Sequence, residues 1–307
     1  MSIIDIKNLV FGYQKKQTIL RQLNMDVPAG SIYGFLGSNG AGKSTTIRTI
    51  LGLLRPRSGT VNVFGQHIRS AGQQLYKNVG ALIESPSLYP HLNARDHLRL
   101  ACRYHQLDTN RISPLLEQVG LLHQQEKSTK KYSTGMKQRL GLAMAMIHDP
   151  DLLVLDEPTN GLDPQGISDI RDLLLHLKET GKTIILSSHL LAEIERIASQ
   201  VGILKDGAML FEGSINKLEQ WKSQQQIWEL RVNDPERARI IMADLASISA
   251  QENNLLLIKV ATEAAVPQLI RQLVKAKIDV YELSKRKSDL EQLFMNVTKN
   301  EITVRKY

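Results

Sequence analysis

Along the first part of the chain apolar residues alternate with polar ones, at Ile4 and Ile6 and again at Leu23, Met25 and Val27, with Pro28-Ala29-Gly30 as a turn. A period of two predicts strands with one buried face. Ser31–Leu36 is a short apolar run that ends in a glycine-rich loop, and a helix is expected from Lys43 to about Leu53, closed by Arg55-Pro56. Strands are expected at Thr60–Phe64 and Val79–Ile83, followed by helical patterns from Asn93 to about Gly120. Helix and strand then alternate: a helix over Thr134–Ile147, a buried strand at Leu152–Leu155, a helix over Gln165–Glu179 and a strand at Thr183–Leu186. A helix over Leu190–Ala198 and two short strands around Lys205-Asp206-Gly207 complete the series. Such alternation predicts an α/β fold, a parallel sheet with helices packed on it. The helical block interrupts the pattern and is expected to form a subdomain, placed at about residues 85–150.

After about Lys217 the character changes. Residues 218–226 are read as a linker, Gln-rich and polar apart from Trp221. A small α+β module is expected over residues 227–307. It has strands at Ile227–Val232, Leu255–Val260 and Ile278–Leu283, with helices from Pro235, over Glu263–Ala276 and from Ser288.

With 307 residues, 42% hydrophobic and 23% charged, the chain has the composition of a globular protein. No apolar run approaches the roughly 18 residues that read as a membrane span. The first ten residues resemble a strand and not a signal peptide. Cys102 is the single cysteine, which excludes an internal disulfide and suits a reducing compartment. The net charge of +8 is spread along the chain, so it is read as a solvated surface, and no nucleic-acid partner is expected.

The candidate chemistry narrows the picture. Gly37-Ser38-Asn39-Gly40-Ala41-Gly42-Lys43-Ser44 matches the phosphate-binding loop in full, after a predicted strand and before a predicted helix. Glycines let backbone N–H groups turn inward around phosphates, and the helix N-terminus behind them carries about half a positive charge. Lys43 is expected to neutralise the β and γ phosphates of ATP, and the Ser44 hydroxyl to hold Mg²⁺. The apolar strand before Asp156-Glu157 delivers two acids to the sheet's carboxyl edge. Asp156 suits Mg²⁺, and Glu157 suits a general base for an attacking water. Ser133, followed by Thr134-Gly135-Met136, caps a helix whose N-terminus is a second possible anion site. One nucleotide has little room for both sites of one subunit, so this one is expected to face the nucleotide of a partner copy.

The segment Tyr132–Arg139 resembles the signature motif of ABC ATPases, and the other markers follow in that family's order over about residues 2–215. The resemblance implies a P-loop NTPase cassette with a mixed sheet core and a helical subdomain, spanning residues 1–217. It implies that Tyr13 stacks on adenine, although a strand-end surface aromatic reads the same way. Asn160-Gly161-Leu162-Asp163 resembles the loop that crosses the dimer interface, and His189 the switch histidine that contacts the γ-phosphate. By the same resemblance, two cassettes, alike or different, close around two ATP molecules. Each nucleotide is held by residues 37–45, Asp156, Glu157 and His189 of one chain and by Ser133 and Gly135 of the other, with Thr45 ending the loop. Polytopic membrane permease subunits are the implied partners, and the cytoplasmic face of a bacterial membrane the implied place. Two departures stand out. Thr134 and Met136 replace the commoner glycine and glutamine, and Glu84 occupies the place of a glutamine that touches Mg²⁺ and water and links to the membrane subunit. Together with the C-terminal module, Glu84 resembles the bacitracin-resistance and lantibiotic-immunity branch of drug and peptide exporters. A soluble ABC ATPase acting on nucleic acid or ribosomes is the alternative reading.

Overall fold

The computed structural model describes residues 1–218, 227–243, 245–252, 254–260 and 263–285. The chain divides into two compact units, one over Met1–Ile215 and one beginning at Asn216. Apart from Leu218, the expected linker lies outside the described residues, as does the expected helix from Ser288.

The first unit holds two sheets. β1 (Ser2–Phe11), β2 (Leu20–Pro28), β4 (Ser58–Val63) and β5 (Gln66–His67) form an antiparallel sheet in the order β2-β1-β4-β5. Its alternating apolar residues Ile4, Ile6, Leu23, Met25 and Val27 are all at most 1% exposed, as the period of two predicts. The second sheet has the order β10-β9-β3-β8-β7-β6. Its strands are β3 (Ile32–Gly37), β6 (Val79–Leu82), β7 (Leu152–Asp156), β8 (Thr183–Ser188), β9 (Gln200–Lys205) and β10 (Ala208–Ser214). β10 runs antiparallel on β9, and the other pairs are parallel. Every residue of β3, β7 and β8 is buried, which explains why they read as largely apolar runs with polar residues only at their ends. Their register sets Phe35, Ser187 and Asp156 in one row across three strands, so the carboxyl ends of β3, β7 and β8 meet at one edge.

The helices of this unit are α1 (Lys43–Ile50), α2 (Gly72–Tyr76), α3 (Ala94–His105), α4 (Ile112–Gln118), α5 (Thr134–Met146), α6 (Pro164–Glu179) and α7 (Leu191–Glu195). α1 is shorter than expected because Gly52, at φ 69°, ends it. Gly52 N–H donates to Thr49 O (3.0 Å) and Leu53 N–H to Arg48 O (2.9 Å), the paired bonds of a glycine-terminated helix. The helical block splits into α3 and α4 where Gln106 takes a left-handed conformation, φ 57°. α5 seats directly on the sheet. A Cβ on Gly80 of β6 would stand 2.1 Å from Ala145 O, and one on Gly141 of α5 would stand 2.4 Å from Pro86 Cγ.

In the second unit β11 (Ile227–Val232), α8 (Pro235–Ile241), β12 (Ala246–Glu252), β13 (Leu255–Val260), α9 (Val266–Lys275) and β14 (Val280–Lys285) follow in turn. The sheet is antiparallel in the order β12-β13-β11-β14, a split βαβ arrangement. Leu230, Val232, Leu256 and Ile258 pack with Ala238 and Met242 and with Leu269 and Leu273 of α9 in its core. β12 was not expected: Ala246-Ser247-Ile248-Ser249-Ala250-Gln251-Glu252 is small and polar because it forms an edge.

Candidate functional site

The loop from Gly37 to Ser44 joins β3 to α1 at the sheet's carboxyl edge. Gly42, the residue before α1, has φ 111°, and Gly40 has φ 82° with nothing within 4 Å of a Cβ position. These are conformations glycine adopts without Cβ strain, and at Gly40 the backbone stays open to an incoming anion. Lys43 is 6% exposed. Its Nζ donates to Gly37 O at 2.7 Å and lies 3.3 Å from Glu157 Oε1. Ala41 N–H donates to Ser38 O at 3.1 Å, closing the loop's turn. Thr45 is buried behind Ser44, and its carbonyl accepts from Thr49 Oγ1 at 2.7 Å.

Asp156 ends β7 and is 2% exposed. Its Oδ1 accepts from Ser187 Oγ at 2.5 Å. Glu157 follows with φ 50°. Besides Lys43, its carboxylate meets His189, whose Nδ1 lies 2.9 Å from Oε2. Glu157, Lys43 and His189 are therefore gathered from three different loops, with Asp156 behind them. The Asn160–Asp163 loop continues from here. Asp163 caps α6 through its bond from Gly166 N–H (3.0 Å).

The structure places the remaining expected residues as follows. Ser133 is exposed and caps α5, accepting from Met136 N–H at 3.2 Å. A Cβ on Gly135 would stand 3.1 Å from Leu162, so the head of α5 lies against the Asn160–Asp163 loop of its own chain. Tyr13 is 56% exposed and packs edge-on against Phe11, with ring centroids 5.0 Å apart. Arg57 holds its loop by donating to the carbonyls of Gly12, Gln14 and Gln17. Glu84, at φ 59°, is turned to the Arg48 guanidinium of α1 and not to Asp156 or Glu157. Among the described residues no three His, Cys, Asp or Glu side chains form a group able to hold a metal ion by themselves. The hydroxyl of Ser44 and the carboxylate of Asp156 are hard oxygen donors of the kind Mg²⁺ takes when phosphate oxygens and water complete its shell.

Sequence reasoning missed Arg48, Arg57, Gln138 and Ser187. Gln138 is 6% exposed, and its Nε2 lies 3.4 Å from Glu157 O. For Ser187 the available signal was a hydroxyl at the end of an otherwise apolar strand. Arg57 and Arg48 carried none.

A glycine-rich loop before a helix, an acid pair at the end of the next strand but one and a histidine just past the strand between define a P-loop nucleotide-binding cassette. The family model described as "ABC transporter" matches residues 20–160. The bacitracin transport ATP-binding protein BcrA of Bacillus licheniformis is 38% identical over 302 residues, covering 96% of this chain and 97% of the relative. The lantibiotic transport ATP-binding protein SrtF of Streptococcus pyogenes is 40% identical over 233 residues, 75% of this chain and 100% of its own length. Among solved structures, the ATP-binding subunit of an ABC transporter superposes with TM-score 0.66 at 31% identity, covering 72% of this chain and 93% of that one. A dimeric post-hydrolysis state of the cassette MJ0796 with ADP and phosphate shares the fold, with TM-score 0.64 and 24% identity over 69% of this chain and 98% of that one. This chain belongs to the ABC transporter family. It is the ATP-binding, ATP-hydrolysing subunit of such a transporter.

Proposed function

We propose that this subunit hydrolyses ATP with Glu157 as general base and thereby powers export of a drug or peptide antibiotic through separate membrane permease subunits. The observation that carries the reading is the Glu157 carboxylate held between Lys43 at 3.3 Å and His189 at 2.9 Å, at the end of the strand that also bears Asp156. Lys43, the glycine loop and the N-terminus of α1 bind the phosphates, and Glu157 takes the proton of the attacking water. His189 orients that carboxylate and reaches the γ-phosphate. Tyr13, exposed and braced through its loop, stacks on adenine. Ser44 and Asp156 would hold Mg²⁺, with Glu84, here paired with Arg48, as a further candidate ligand; the ion would supply positive charge to the phosphate oxygens.

Ser133 and Gly135 serve the nucleotide of a second cassette, which makes the working form an ATP-dependent dimer. Among the described residues no helix is long and apolar enough to cross a membrane. The membrane subunit of this reading is a separate chain, with the cassette at the membrane's cytoplasmic face, which the naming of the relatives as transport ATP-binding proteins supports. A groove of about 300 Å³ lined by Tyr89, Leu100, Tyr104, His105 and Met144 lies beside the loop after Glu84 and offers an apolar seat for that partner. The names of the relatives support an antibiotic cargo. Coexpression with a polytopic membrane protein of the ABC exporter kind, such as a neighbouring gene would supply, tests the reading. Copurification, bacitracin- or lantibiotic-stimulated ATPase and resistance lost with Ser133→Arg are expected. A cassette that hydrolyses ATP equally well as a monomer, or with Ser133→Arg, overturns the dimeric motor.

A further inference from the structure

Ser187 is 0% exposed and stands beside Asp156 in the register of β7 and β8. A serine hydroxyl has one hydrogen to give and two lone pairs. Here the hydrogen goes to Asp156 Oδ1 at 2.5 Å, and a lone pair accepts Glu157 N–H at 2.9 Å. One oxygen thus touches both neighbouring acids, the side chain of the first and the backbone of the second.

Both contacts bear on chemistry. The bond from Ser187 Oγ engages Oδ1 and so fixes Asp156 about its terminal torsion. Glu157 has φ 50°, a left-handed conformation that a residue with a Cβ resists. Its peptide is gripped at both ends: the N–H by Ser187, the C=O by Asn160 N–H at 3.1 Å and by Gln138 Nε2 at 3.4 Å. The direction in which the carboxylate leaves the backbone, toward Lys43 and His189, depends on that twisted peptide.

We infer that Ser187 is a positioning residue for hydrolysis, its hydroxyl fixing the Asp156 carboxylate and the peptide that presents Glu157. The inference rests on Glu157 being the base. Alanine at 187 leaves a buried N–H without its acceptor and a carboxylate oxygen without its donor, while touching no phosphate. Threonine keeps the hydroxyl.

The test compares wild type with Ser187→Ala, Ser187→Thr and Glu157→Gln in the full chain. It measures kcat, KM, the thermal unfolding midpoint and the affinity for a fluorescent ATP analogue with and without Mg²⁺. For Ser187→Ala, kcat is expected to fall about ten- to a hundredfold, as the loss of two buried hydrogen bonds implies. The Mg²⁺-free affinity stays within about twofold, the gain in affinity on adding Mg²⁺ shrinks and KM rises with it, and Ser187→Thr recovers most of the rate. Unchanged kcat in Ser187→Ala beside a dead Glu157→Gln overturns the inference alone. So does a fall in kcat matched by an equal loss of Mg²⁺-free affinity, or one that threonine does not repair. Normal turnover in Glu157→Gln removes the base, and the inference goes with it.

Discussion

Lys43 Nζ lies 3.3 Å from Glu157 Oε1, so the lysine assigned to the phosphates is also the carboxylate's ion-pair partner. Phosphate and carboxylate compete for one buried ammonium, and a nucleotide must share or displace that contact. Glu157→Gln removes the competitor and the proposed base together. The variant is expected to bind ATP at least as tightly as wild type and to turn over at least about 10²-fold more slowly. Equilibrium binding and single-turnover hydrolysis read the two effects separately.

Arg48 meets the carboxylate of Glu84 from the same face of α1 as Ser44, one turn away. In the proposed site this pairing offsets the charge that Glu84 adds near the phosphates. Arg48→Gln is expected to weaken ATP binding by about two- to fivefold, the scale of an exposed ion pair, with the difference fading in high salt. The double variant with Glu84→Gln recovers affinity. A titration of nucleotide affinity against salt concentration is the measurement.

His148 stacks on His105 with ring centroids 4.2 Å apart, and its Nε2 lies 3.2 Å from Val79 O. Burial, then the neighbouring His105 and Lys182, lowers its pKa, against a smaller upward pull from Val79 O and Asp149. Because the folded value lies below the unfolded one of about 6.5, the contribution to stability is complete above that pH and is lost as pH falls through the folded value. His148→Gln is expected to flatten the fall in thermal midpoint between pH 7 and pH 5 of about that window. Parallel slopes for variant and wild type would remove His148 from the account.

Arg139, in the helix that Ser133 caps, donates to Asp169 of α6 at 2.6 Å. The Gln165 amide and Arg139 hold the Asp169 carboxyl below its ordinary range. The folded pKa is again the lower one, so this contribution is present above the unfolded carboxylate pKa and disappears as the solution is acidified through the folded value. Asp169→Asn is expected to lose stability at neutral pH and to show a shallower acid transition, read by urea titration at a series of pH values.

Much of the site was legible because its chemistry is local in the chain. The glycine loop with Lys43 and Ser44, the acid pair after Leu152–Leu155 and the cap at Ser133 are each contiguous, and each sits where apolar periodicity predicts an element's end. Contacts that arise only when strands are laid side by side were not legible. Ser187 and Asp156 are 31 residues apart, and no period in either strand announces which residue of β8 will stand beside which residue of β7. The fold followed the same division. β3, β7 and β8 are apolar over most of their length, whereas the edge strand β12 is small and polar, and the end of α1 depended on reading Gly52 as a left-handed stop. Glu84 stood out by sequence position, but its attachment to Arg48 required both side chains in space.

At Gly80 the backbone of β6 closes directly on the Ala145 carbonyl of α5, and at Gly141 the backbone of α5 closes on the Pro86 ring and Leu82. A layer of leucines would yield by changing rotamers, like a spring. Pro86 against Gly141 has no such give, so any side chain placed at position 141 would have to drive α5 and the Glu84–Pro86 loop apart.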